Sequence, residues 1–357
     1  MPVIDSTFND VGRDIIHNDH SLRNYDYSTH HITSIISSPN PTSPHDDFFS
    51  WLRSPETMGL IRAVRDRHNE NLIRHWRGTC DWLQQNGAYT EWREGTKSPS
   101  ILWLHSLPGI GKSILCSQAI RMVKESDPTA AVIYLFYEFD RDFNEAQTLQ
   151  LLAGQLFQIR PNCRFADEVF SELPTERSAN SLRSFITAAV RKLPGVCYFF
   201  FDGLDEECEN KGDTKRWKNA SRVLQFFIQL ATRESKTVRL WYSSQFRQSI
   251  QDDLQAFTIC NFTTRMKDDV KLYLTESVSS LGSKLFLPDE EQKVLQKAVE
   301  GRVGDSFLLA SLVVANLEDA SCPEEMMRLI NTLPSELYGY YRKIFMRFGK
   351  TKRDLVW

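Results

Sequence analysis

The chain has 357 residues, is 41% hydrophobic and 25% charged, and is long enough for two or three domains. Its formal net charge is −3, so no basic excess points to nucleic acid or to an anionic membrane as a partner. Seven cysteines (Cys80, Cys116, Cys163, Cys197, Cys208, Cys260 and Cys322) are scattered without a C-x-x-C pair. That spacing argues against a disulfide framework or a zinc site and for free thiols in a reducing compartment.

The first residues, MPVIDSTFND, carry no basic start and no long apolar stretch, so they do not read as a secretory signal. The longest apolar runs, such as VCYFFF at 196–201, fall well short of the roughly 20 residues a spanning helix needs. An intracellular, cytoplasmic location is expected.

Residues 1–47 contain no lysine, two arginines and a Ser/Pro-rich stretch, which predicts a disordered tail. From Phe48 to about residue 98 the pattern becomes helical, with Trp51, Trp76, Trp82 and Trp92 as apolar anchors. SILWLH at 100–105 predicts a buried strand, and a glycine-rich turn follows it. Ile114, Leu115, Ala119, Ile120 and Val123 then recur at helical spacing. AAVIYLFYEF at 130–139 predicts the next strand, with helices expected over about 146–159 and 181–193. VCYFFFD at 196–202, a helix near 217–231 and VRLWYSS at 238–244 continue the alternation.

Strands alternating with helices predict an α/β fold, a parallel sheet flanked by helices, over residues 99–263. Beyond that the strand signals stop. Helical patterns near 267–281, 288–300, 305–317 and 336–347 predict an α-helical subdomain over 264–335 and a further unit from 336 to 357.

The turn after the first strand reads Ser106-Leu107-Pro108-Gly109-Ile110-Gly111-Lys112-Ser113-Ile114. It fits the phosphate-loop signature G-x-x-x-x-G-K-[ST], except that serine holds the first glycine position. Gly109 and Gly111 can adopt backbone angles a Cβ forbids, and their N–H groups at a helix start surround an anion. Lys112 is expected to reach the β- and γ-phosphates of ATP or ADP, and Ser113 to hold Mg²⁺. Pro108, Ile110 and Ile114 complete the loop. Serine at 106 is expected to cost some backbone freedom and to weaken binding at most.

The second half of the site is FFFDGLDEE at 199–207. A hydrophobic strand ends in Asp202, a candidate Mg²⁺ ligand, because ligands sit at the carboxyl ends of such strands. Gly203 is expected to keep space open beside the metal. Asp205 and Glu206 are both candidates to orient or deprotonate an attacking water, and spacing does not choose between them. Glu207 and Glu209 extend the run, so a solvated acidic loop is the plainer reading of its far end.

Together, "SLPGIGKS" and "FFFDGLDEE" resemble the NACHT branch of the STAND P-loop NTPases, in particular the fungal NLR-like proteins with a nephrocystin 3-like N-terminal domain. "RGTCDWLQQNGAYTEW" (77–92), "FYEFDRDFNEAQTLQLLAGQL" (136–156), "VRLWYSSQFRQSI" (238–250), "DSFLLASLVVANL" (305–317) and "LPSELYGYYRKIF" (333–345) extend the likeness.

The resemblance implies a nucleotide-controlled switch: closed with ADP, opened by ATP exchange into a homo-oligomer, and reset by slow hydrolysis. It implies a helical lid, and an approach to a winged helix that this chain enters before Trp357. It places Gly78 and Thr79 beside the adenine, although a helix boundary at a glycine explains those residues equally well. It also puts Gln245 where the family has a γ-phosphate-sensing arginine. Glutamine offers hydrogen bonds without charge, so a non-hydrolysing scaffold is the second reading. A small-molecule P-loop kinase is the third, and no second substrate site speaks for it.

Overall fold

A computed structural model describes residues 46–138, 141, 143–159, 176–208 and 214–332. The tail over 1–45, the unit expected from 336 onward, Cys163 and Glu209 lie outside the described residues.

The chain begins with α1 (Asp46–Leu52) and α2 (Pro55–Ile73), continues through a 3₁₀ turn (Asp81–Gln85) and α3 (Gly87–Glu94), and enters β1 (Ser100–His105). Then come α4 (Lys112–Ser126), β2 (Ala131–Phe136), α5 (Glu145–Ile159), α6 (Ala179–Lys192) and β3 (Cys197–Asp202). A second 3₁₀ turn (Leu204–Glu207), α7 (Thr214–Arg233), β4 (Val238–Ser244), α8 (Gln248–Leu254) and β5 (Thr258–Cys260) follow. Four helices close the described chain: α9 (Thr263–Lys284), α10 (Asp289–Val303), α11 (Phe307–Glu318) and α12 (Pro323–Thr332).

The five strands form one sheet in the order β2-β3-β4-β1-β5, and every neighbouring pair is parallel. β2, β3 and β4 are buried along their whole length, as expected of strands covered on both faces. Alternation along β3 shows the two layers. Phe199 and Phe201 meet Phe227 of α7, with ring centroids 4.7 and 5.1 Å apart. Tyr198 and Phe200 meet Trp92 of α3, at 5.5 and 5.7 Å, on the other side. The indole of Trp92 donates to the carbonyl of Leu240 at 2.7 Å, which satisfies its one polar atom inside this core.

A second apolar cluster lies within α9–α12, built on Val270, Leu274, Val299, Val313 and Leu317. Trp76 packs into it against Tyr273 at 4.9 Å. Nearby, the carboxylate of Asp269 on α9 accepts from the Cys80 N–H (3.0 Å) and the Trp82 indole (2.9 Å). The tryptophans before residue 93 therefore serve packing, as expected, and Trp76 and Trp82 also tie the lead-in to the C-terminal helices.

Three short elements were not anticipated from the sequence. β5 is a three-residue edge strand, α8 is a seven-residue polar helix, and α12 follows the last helical pattern read within the described residues. The six described cysteines are free, as expected.

Candidate functional site

The sheet brings the two motifs to one edge. β1 ends at His105 and β3 ends at Asp202, with β4 lying between them. The carboxyl end of a parallel sheet is where such folds place ligands.

Gly109 (φ 71°) and Gly111 (φ 105°) both have left-handed backbone, and Gly111 caps the start of α4. That is the expected use of the two glycines. Ile110 between them is buried in the main core, whereas Leu107 and Pro108 are exposed. Ile114 is half-buried against the same core. Ile110 thus anchors the loop in the core, while Leu107 and Pro108 face outward.

Lys112 sits at the first turn of α4. Its ammonium donates to the carbonyls of Ser106 (3.1 Å) and Leu107 (2.8 Å). Burial pulls its pKa below the usual lysine range, while Asp205, Asp202 and Glu206 pull it back up. Three carboxylates therefore face one lysine across the crevice.

Asp202 is 3% exposed. Its carboxylate accepts from the hydroxyl of Ser243. Burial pushes its pKa up, and the nearby hydroxyls of Ser113 and Ser243 and the charge of Lys112 oppose the rise. Ser113, at the start of α4, and Asp202, at the end of β3, thus lie near one another at the carboxyl edge of the sheet, as a shared cation site requires. A hydroxyl and a carboxylate are hard oxygen donors, and one or two protein ligands beside nucleotide phosphates suit Mg²⁺. No group of three or more metal-ligating His, Cys, Asp or Glu side chains occurs among the described residues.

The acidic turn departs from expectation in two ways, at Gly203 and at Glu207. Gly203 has φ 74°, and a Cβ there would stand 2.8 Å from the carbonyl of Tyr137. Its glycine serves a left-handed turn against a neighbouring backbone, not open space beside a metal. Glu207 is not solvated: it is 1% exposed and paired with Arg216 at 3.0 Å. Asp205, equally buried, accepts the backbone N–H of Gln245 at 2.8 Å. Glu206 is half-buried, and burial, then Asp205 and Asp202, hold its carboxyl above the usual range.

Gln245 follows β4 directly, so the structure brings it to the acidic turn through its main chain. Gly78 (φ 83°) and Thr79 lie farther off, against α9. A Cβ on Gly78 would meet Leu272 at 3.2 Å, and the Thr79 hydroxyl donates to the Trp76 carbonyl at 2.6 Å. His105 is half-buried beside Trp103 and Phe246, and burial and Lys112 keep its pKa low.

Sequence reasoning missed Ser243, whose hydroxyl holds Asp202, and Asn71, whose amide donates to Ser117 Oγ (3.1 Å) and the Ser113 carbonyl (3.4 Å). The serine pair ending β4 was a readable signal for the first. The second depends on how α2 packs against α4.

With strand order, loop and acidic strand end in place, the fold can be stated. The described chain is an α/β P-loop NTPase fold with a helical C-terminal region. Residues 78–245 match the family described as Nephrocystin 3, N-terminal, which takes in both motifs and ends at Gln245. A search of curated proteins by sequence finds no match. Solved structures that match include a Walker-type ATPase of Pyrococcus abyssi, at 11% identity over 75% of this chain and 74% of that one, with a TM-score of 0.45. PCH-2 of C. elegans matches at 10% identity over 85% and 74%, with a TM-score of 0.38. An E. coli HORMA:CdnC:Trip13 complex matches at 12% identity over 83% and 94%, with a TM-score of 0.41. No helix among the described residues is long and apolar enough to cross a membrane.

Proposed function

We propose that this chain is an ATP/ADP-binding switch of the NACHT type within the STAND group, hydrolysing ATP slowly and working in the cytoplasm. The observation that carries the reading is the placement at one sheet edge of the loop with left-handed Gly109 and Gly111, which runs into Lys112 and Ser113 at the start of α4, and of buried Asp202 at the end of β3. The Nephrocystin 3, N-terminal match over both motifs supports it. The sequence likeness to fungal NLR-like proteins supports a role in self/non-self recognition or defence, with homo-oligomerisation on activation.

In this reading Gly109, Ile110 and Gly111 present backbone N–H groups to phosphate, and Lys112 leaves its loop carbonyls to neutralise phosphate charge. Ser113 and Asp202 hold Mg²⁺. When bound, that ion neutralises charge on the phosphate oxygens. Glu206 orients the attacking water, because its carboxyl has the raised proton affinity a base needs and Asp205 is engaged with Gln245. Gln245 contacts the γ-phosphate without charge, which suits a slow enzyme. Gly78 and Thr79 flank the adenine beneath α9. Residues 264–335 act as the lid, a role supported by their separate apolar cluster.

The test is Mg²⁺-dependent binding of ATP and ADP, with turnover, for the chain and for Lys112→Ala and Asp202→Ala. Binding with slow turnover, lost in both variants, is expected. Binding without turnover favours the scaffold reading. Turnover that requires a phosphate-accepting metabolite favours a kinase. A folded chain that binds no nucleotide sinks the proposal.

A further inference from the structure

Ser106 occupies the position where the phosphate-loop signature has glycine. The left-handed residues of the loop are Gly109 and Gly111. Ser106 does not share that conformation, so the expected loss of backbone freedom does not arise. Its main chain is engaged on both sides: the N–H donates to the Ser244 carbonyl at 3.2 Å, and the carbonyl accepts from Lys112 at 3.1 Å. A glycine could make both of those bonds. What serine adds is a hydroxyl, and it lies 2.9 Å from the hydroxyl of Thr263, the first residue of α9.

A second contact joins the same two parts. The N–H of Leu308, in the first turn of α11, donates to the carbonyl of Gly109 at 2.9 Å. Ser306, the residue capping α11, stands so close that a Cβ on Gly109 would come within 2.8 Å of its hydroxyl oxygen. A trans peptide points its C=O and the following N–H in opposite directions. Holding the Gly109 carbonyl on α11 therefore turns the Ile110 N–H away from α11 and into the loop, where an anion is gathered by such groups.

We infer that Ser106, acting through Thr263, is a positioning residue that clasps the phosphate loop to the C-terminal helices and couples phosphate binding to their seating. The inference rests on the nucleotide-binding reading above. The Ser106–Thr263 bond holds the entry of the loop, and the Gly109–Leu308 bond holds its turn. Whatever seated helices add to phosphate affinity, bound phosphate adds to their seating, because such coupling is reciprocal. The serine at position 106 thereby substitutes a tie between two structural units for a glycine that the local backbone does not require.

The experiment is a double-mutant cycle on the full chain. Dissociation of a fluorescent ADP with Mg²⁺ is timed in the wild type, Ser106→Ala, Thr263→Val and the double variant, with Thr263→Ser as the conservative control. Thr263 also bonds to Asn261, but that loss is common to both Ser106 backgrounds and cancels in the cycle. Loss of one neutral hydrogen bond corresponds to release faster by roughly two- to tenfold. Each single variant is expected to show it, the double variant to add nothing further, and Thr263→Ser to release ADP at the wild-type rate. Hydrogen exchange is followed in parallel, and ADP is expected to slow exchange in the first turn of α9 in the wild type but not in Ser106→Ala. Wild-type release from the single variants, or strictly additive effects, overturns the clasp while the nucleotide reading stands. A wild type that gives no ADP signal brings down both, and the missing signal tells that case apart.

Discussion

Arg216 and Glu207 form a buried ion pair at 3.0 Å, with side chains 10% and 1% exposed. Arg216 also donates to the carbonyls of Arg141 (2.9 Å) and Glu138 (3.4 Å). The pair joins the acidic turn to α7 and to the chain after β2. Removing the carboxylate alone breaks this buried ion pair, which costs about 3–5 kcal/mol. Glu207→Ala is accordingly expected to lose that much in urea denaturation. Glu207→Leu combined with Arg216→Met should recover most of it. A stability unchanged in the single variant would refute the account.

Gly203 offers a test of backbone geometry. Alanine there meets both the positive φ and the Tyr137 carbonyl, and is expected to destabilise by about 1–3 kcal/mol. Nucleotide affinity should fall with it, since Asp202 and Asp205 flank the turn. Gly301→Ala, in α10 with nothing within 4 Å of its added Cβ, should instead gain up to about 1 kcal/mol. Thermal melts of the two variants should move in opposite directions.

Asp205 and Glu206 separate structural from chemical roles. Asp205→Ala strands the Gln245 N–H and should lower stability by about 1–3 kcal/mol. Glu206→Gln keeps the shape of a half-buried side chain, so its stability should be close to wild type. The expected signature of Glu206→Gln is a lower turnover rate with ATP affinity retained. Equal loss of both in the two variants would count against the division.

His68 gives a pH dependence with a definite sign. It is 5% exposed, packed against Tyr134 at 4.9 Å, and its Nδ1 has no hydrogen-bond partner among the described residues. Burial first, then Lys124, pulls its pKa from 6.5 down to about 3. Between those values the unfolded chain binds a proton that the folded chain does not, so stability falls as pH falls below 6.5. The slope is up to about 1.4 kcal/mol per pH unit for one proton. His68→Phe removes that proton. Its stability advantage over the wild type should therefore grow between pH 7 and pH 4.5 in denaturant titrations. A constant difference would show that His68 is protonated in the folded state.

The fold was legible wherever a strand was a continuous apolar run. SILWLH, CYFFFD and VRLWYSS announce β1, β3 and β4 because both faces of those strands are buried, so their middles are runs of apolar residues and polar ones stand only near the ends. β5 was not legible, because three residues at a sheet edge leave no period to count and Ile259 is exposed. In the site, Lys112, Ser113 and Asp202 came from spacing alone, since a loop between a strand and a helix fixes its own geometry. Glu207 was misread as solvated because its counter-charge, Arg216, arrives from the next helix. Thr263 was invisible for a stronger reason: its partner Ser106 is 157 residues away, and nothing local in either segment marks the meeting.

The place of β4 between β1 and β3 has a mechanical consequence. Its last two residues serve both halves of the site: Ser243 O accepts the Gly203 N–H (2.9 Å), and Ser244 O accepts the Ser106 N–H (3.2 Å). Their hydroxyls divide the same way, Ser243 to Asp202 and Ser244 to the Trp103 indole (2.9 Å). The tip of β4 is therefore a common rail on which loop and acidic turn both ride. A displacement of one residue there shifts both together, and carbonyl labels at Ser243 and Ser244 would register an event in either half.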